Sequence, residues 1–183
     1  QPDLRRKPMR RLLDGLYHVA LYAAGALVAL MCLLISAQVF LNAATRFLPV
    51  GLPPSIPSYA EISGFMLAAA SFFALGPTLK ASQHIQITLL TRHLAGRYAR
   101  LQHVVIFAIG LGFVLYALYF VGALIYESWE FGDKSYGSVK IDLWIPQLMM
   151  FLGLAVLAIA MADELFDAIM NLMRGEKGHA SDG

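Results

Sequence analysis

Residues 104–126 read VVIFAIGLGFVLYALYFVGALIY, 23 positions without a formal charge. A helix needs about 20 mostly apolar residues to cross about 30 Å of hydrocarbon, so this stretch reads as a membrane-spanning helix. It is apolar throughout rather than alternating, which argues against a lipid-facing barrel strand. Working outward, three similar runs appear. Asp14 and Arg46 bracket 31 residues without a formal charge, Ile62–Leu79 gives 18 ending in Gly76 and Pro77, and Leu143–Ala162 gives 20. These place spans at about 16–45, 62–79, 104–126 and 143–162.

The composition agrees with that reading. Of 183 residues, 58% are hydrophobic and 14% charged, against about 45–50% and about 25% in soluble domains. A core this small cannot hide so much apolar surface, which argues against a water-soluble enzyme. Cys32 is the sole cysteine, so a disulfide-stapled module is excluded. The net charge of +2 is too weak for a nucleic-acid binder. The fold class is therefore all-α integral membrane, one four-span domain over residues 1–183, with residues 1–9 and 175–183 as flexible cytoplasmic tails.

Arg5, Arg6, Lys7, Arg10 and Arg11 precede the first run. That run is too long for a cleaved signal peptide and lacks a clear small-residue cleavage site, so it reads as a signal anchor. At about 1.5 Å per residue it exceeds the bilayer, implying tilt or projection beyond it. Lys80, Arg92, Arg97, Arg100, Arg174 and Lys177 fall on the same side as the basic start, while Arg46, Lys134 and Lys140 fall opposite. The excess puts both termini in the cytoplasm. Trp129 and Trp144 mark the outer interface.

The first loop, Phe47 to Ser58, holds Pro49, Pro53, Pro54 and Pro57 and cannot be regular helix. Ser58-Tyr59-Ala60-Glu61 fits a capping box opening the second span. Glu61 also lies at the same end as Arg46, and an ion pair between them is compatible with the capping role. In the next loop Ile87, Leu90, Leu94, Tyr98 and Leu101 share a helical stripe, with Arg92, His93 and Arg100 elsewhere. This predicts an amphipathic interfacial helix at about 84–102, in preference to a simple extension of the third span.

The span centres lack Asp, Glu, Lys, Arg and His, where a pump or proton-coupled carrier would place one. Metalloprotease, serine-hydrolase, phosphate-loop and CxxC motifs are absent. No catalytic, metal or substrate-binding residues are therefore assigned, and no cofactor. Two alternatives are a self-sufficient small carrier and a haem-binding subunit using His18 and His103. Gly25/Ala29, Gly64/Ala68 and Ala70/Ala74 offer small-residue faces for packing within the unit or against a partner.

From about Leu12 to Ala168 the chain resembles the small, DctQ-like membrane subunit of tripartite ATP-independent periplasmic (TRAP) transporters. The likeness rests on Asn42-Ala43-Ala44-Thr45-Arg46 closing a long first helix and Glu61 opening the second. It continues with Gly76-Pro77-Thr78-Leu79-Lys80 before His84-Ile85-Gln86-Ile87, then Ser128, Gly132 and Ser135, then Trp144-Ile145-Pro146. The chain departs from the family's pattern at Ala60 and Thr88, where acids are frequent. The resemblance implies a non-catalytic scaffold in the bacterial inner membrane. Its partners would be a large sodium-coupled membrane subunit and a periplasmic protein that binds a carboxylate-type solute. It places Arg46, Glu61, Glu130 and Asp133 near the periplasmic docking surface. Lys80, His84 and Pro146 are further structural or subunit-contact candidates, and Arg92, Arg97 and Arg100 are lipid-headgroup candidates.

Overall fold

The computed structural model of the chain describes residues 6–47, 55–90 and 97–179, with side chains for 12–47, 55–81, 101–170, 172 and 173. Four helices account for nearly all of them: α1 (Arg6–Phe47), α2 (Tyr59–Leu90), α3 (Arg97–Phe131) and α4 (Trp144–His179). Each carries a segment long and apolar enough to cross a membrane, at Leu12–Phe47, Tyr59–Ala81, Leu101–Phe131 and Trp144–Met170.

The helices outrun the apolar runs that nucleate them. Backbone hydrogen bonding propagates along any good helix former, so it does not stop where hydropathy falls. Gly76 and Pro77 do not end α2, which continues to Leu90. Pro77 removes only the N–H that would reach the Phe73 carbonyl. Propagation also changes the reading of residues 84–102. Residues 84–90 form the end of α2 and 97–102 the start of α3, so among the described residues a separate interfacial helix is not seen. Residues 91–96 lie outside the described residues.

Real stops have identifiable chemistry. Gly132 takes φ +64° just after α3, and the Asp133 N–H donates back to the Ser128 carbonyl at 3.1 Å. This is the glycine-dependent Schellman termination. Pro146 falls in the first turn of α4, where its missing N–H would have had no intrahelical partner.

The helices stand in a row rather than a closed bundle. α4 packs against both α2 and α3, and α2 also against α1. α1 and α4 approach each other far less, around the cluster of Tyr17, Ala20, Val156 and Ala160. The spatial order is therefore α1–α2–α4–α3. Contacts of Phe72 with Gly153 and of Gly76 with Val156 show that α2 and α4 run parallel. Gly110 against Met161 and Gly122 against Phe151 show that α3 and α4 run antiparallel.

An open row buries little of itself. The chain exposes 12849 Å², whereas a compact soluble protein of 20.1 kDa would expose about 8,700 Å². Large apolar side chains stand exposed on the two edge helices, including Tyr22, Leu33 and Phe40 on α1 and Phe113, Tyr116 and Tyr119 on α3. Such faces are stable only against lipid or another apolar surface.

Candidate functional site

The polar chemistry gathers at the two ends of the row. At the end holding the N-terminus, Lys80 of α2 meets two consecutive acids of α4. Its Nζ donates to Asp163 Oδ2 and, at 2.6 Å, to Glu164 Oε1. All three side chains are largely but not fully enclosed. The ammonium also lies 5.7 Å from the centre of the Tyr17 ring on α1, within range of a cation–π attraction. One lysine thus ties three helices together. Tyr17 is itself buried, and its hydroxyl has no hydrogen-bond partner, a state that costs about 1–3 kcal/mol.

Beside this cluster lies an open cleft of about 220 Å³ lined by Asp14, Tyr17, His18, Leu21, Pro77 and Lys80. His18 Nδ1 donates to the Asp14 carbonyl at 2.6 Å. A carbonyl only accepts, so Nδ1 carries the proton of this bond.

At the opposite end the α1–α2 and α3–α4 connections are tied to neighbouring helices. Gln38 of α1 is buried, and its Oε1 accepts from the Ile56 N–H at 2.7 Å, holding the first loop down. Its Nε2 donates to Asn42 Oδ1 at 3.3 Å. The α3–α4 connection folds back on itself. Ser135 N–H donates to the Ile141 carbonyl at 2.8 Å, and Leu143 N–H to the Asp133 carbonyl at 3.0 Å. Ser135 Oγ, buried within, donates to the Val139 carbonyl and accepts from the Ile141 N–H. Gln147 of α4 donates to Ser128 Oγ of α3 at 3.0 Å, and Trp129 and Trp144 meet edge to face.

This folded connection reaches across to α2. Val139 N–H donates to Ser58 Oγ at 2.9 Å, and Gly137 lies over the Glu61 carboxylate. The capping box expected from Ser58 and Glu61 is consequently only half present. The Ser58 carbonyl accepts from Ile62 N–H at 3.0 Å as an N-cap should. Its hydroxyl, however, has been recruited by Val139, and its φ of +57° is left-handed. Glu61 Oε2 is buried without a hydrogen-bond partner.

The sequence-predicted residues divide between these sites. Lys80 is central to the inner cluster, Glu61 to the outer one, and Pro146 is buried at the start of α4. Arg46, Glu130 and Asp133 are exposed at the outer end. No ion pair joins Arg46 to Glu61, because Gly137 and Ser58 cover the carboxylate instead. The side chains of His84, Arg97 and Arg100 lie outside the described residues, as does Arg92 altogether. His18 and His103 are not brought together, since α1 and α3 are opposite edges of the row. His103 instead packs on Phe107 at 5.3 Å between ring centres. Among the described residues no three metal-ligating side chains cluster.

Sequence reasoning overlooked Asp163 and Glu164, although two adjacent acids directly after an uncharged run and on the same side as Lys80 are a usable signal. It also overlooked Gly153, and it named Gly76 as part of the family pattern without seeing it as a helix contact. A Cβ at 76 would stand 2.8 Å from Val156 Cγ1, whereas Gly25 and Gly64, singled out for their spacing, face open space.

No curated protein and no solved structure matches the chain. The family model described as "Tripartite ATP-independent periplasmic transporters, DctQ component" matches residues 31–171. That interval covers both stitched ends except the α1 side of the inner cleft, and it contains Gln38, Glu61, Lys80, Gly137 and the Asp163–Glu164 pair. With most of its length so matched, the chain belongs to the DctQ component family of tripartite ATP-independent periplasmic transporters.

Proposed function

We propose that the chain is the small, non-catalytic scaffold subunit of a sodium-coupled importer of carboxylate-type solutes. The open row carries this reading, because it leaves broad apolar faces on α1 and α3 that exceed what the chain covers by itself. A large membrane subunit packed on one of these faces would be held in place while it moves the solute. The uncharged span centres support a holding role, since they offer no relay for an ion or proton.

The protein lies in the bacterial inner membrane with both termini cytoplasmic, a placement supported by the excess of Lys and Arg on that side. The stitched end then faces the periplasm. Arg46, Glu130 and Asp133 on its surface help dock the solute-binding protein, and Ser58 anchors the folded connection that covers Glu61. On the cytoplasmic side Arg92, Arg97 and Arg100 meet lipid headgroups.

The test is purification of the chain co-expressed with its large subunit, together with solute uptake driven by a sodium gradient. The two chains should co-purify in detergent, and deletion of the small one should abolish uptake. Failure to co-purify, with uptake surviving the deletion, overturns the proposal.

A further inference from the structure

We infer that the inner cleft between α1 and α2 is a binding site for a phospholipid headgroup bearing a primary ammonium, phosphatidylethanolamine. The cleft opens where both helices leave the apolar core, since Asp14 lies near the start of one candidate span and Lys80 at the end of another. It holds about 220 Å³, several times the ~30 Å³ share of one water molecule in the liquid.

Its chemistry is two-sided. Asp14 supplies a carboxylate, an acceptor for an ammonium, and His18 lies one turn along the same wall. On the other wall Lys80 has spent two of its three N–H donors on Asp163 and Glu164, and it retains a partly exposed ammonium. A phosphate set against Lys80 puts an ethanolamine nitrogen within a headgroup's reach of Asp14 and His18. Leu21 on the cleft wall is exposed and apolar, as contact with an acyl chain requires.

Charge selects among lipids. Among the described side chains three carboxylates, Asp14, Asp163 and Glu164, accompany one ammonium, a balance that suits a headgroup carrying its own cation. Between the two common zwitterions, a trimethylated nitrogen has no N–H to give to Asp14, whereas a primary ammonium has three.

The full chain, delipidated in detergent, is titrated by native mass spectrometry with phosphatidylethanolamine, phosphatidylcholine and phosphatidylglycerol of identical acyl chains. Soluble phosphoethanolamine is added as a competitor. One phosphatidylethanolamine should bind roughly tenfold more tightly than either other lipid, and soluble phosphoethanolamine should not displace it. Asp14→Asn should erase the preference over phosphatidylcholine. Leu21→Trp, at an exposed position that leaves the fold untouched, should block the cleft and lower retention similarly. Equal retention of the three lipids, or a preference for phosphatidylglycerol, overturns the assignment. So does a preference that survives both substitutions. Displacement by soluble phosphoethanolamine would show that the occupant is a soluble molecule and overturn the lipid assignment.

Discussion

Gly153 of α4 lies directly against the backbone of Phe72 on α2, so that a Cβ at position 153 would stand 2.6 Å from the Phe72 carbonyl carbon. This contact, with Gly76 against Val156 one turn along, sets how closely the two central helices approach. Small residues drive membrane helices together by allowing backbone proximity, since lipid tails remove any hydrophobic preference for protein.

Gly153→Ala should therefore destabilise the protein. Elsewhere in a helix the same change would stabilise by roughly 0.5–1 kcal/mol, but here overpacking against backbone should cost about 1–3 kcal/mol. Gly64→Ala, whose added methyl meets open space, is the control and should raise or preserve stability. Thermal unfolding in detergent compares the two.

Lys80→Met should leave Asp163 and Glu164 side by side without their cation. The expected loss is about 2–3 kcal/mol, below the ~3–5 kcal/mol of a fully buried pair because these groups keep some exposure. The triple variant Lys80→Met, Asp163→Asn, Glu164→Gln removes the stranded charges and should recover most of the loss. Chemical denaturation of the four-span protein in mixed micelles measures both.

Gly137→Ala should release the α3–α4 connection from α2, because the new methyl collides with the Glu61 carboxylate and would stand 2.5 Å from Ser58 Oγ. Amide exchange at Val139, whose N–H is held by Ser58, should accelerate at least tenfold while the spans stay protected. Docking of the solute-binding protein should weaken in parallel, with the complex between the membrane subunits intact.

Arg46→Glu should leave stability within about 0.5 kcal/mol, as for other exposed positions. Reversing Arg46 and Glu61 together should not restore what Glu61→Arg loses, since the two side chains do not meet. A thermodynamic cycle over the three variants should return a coupling near zero. A coupling above about 1 kcal/mol would contradict the geometry.

Gln38→Leu should free the first loop. The Ile56 N–H loses its only side-chain acceptor at 2.7 Å, which should cost about 1–3 kcal/mol for the stranded donor. Proteolysis within residues 48–57 should quicken correspondingly.

The helical, membrane-crossing nature of the chain was legible in the bare sequence, as was the family resemblance. The reason is that a bilayer imposes one requirement on every crossing, about 20 apolar residues with all backbone groups satisfied internally. Glu61 stood out because charge near the hydrocarbon is costly and demands a purpose, and Lys80 because it belongs to the family pattern. The partner of each was another matter. Lys80 found Asp163 and Glu164 through the parallel pairing of α2 with α4, two helices that are not consecutive in the chain. Glu61 lost Arg46 because a distant loop folded over it. The row α1–α2–α4–α3 itself was decided only in three dimensions. Faces against lipid and faces against protein are equally apolar, so periodicity does not distinguish them. What does is steric fit, and that came from Gly76 and Gly153, whose neighbours stand about 80 residues away in sequence.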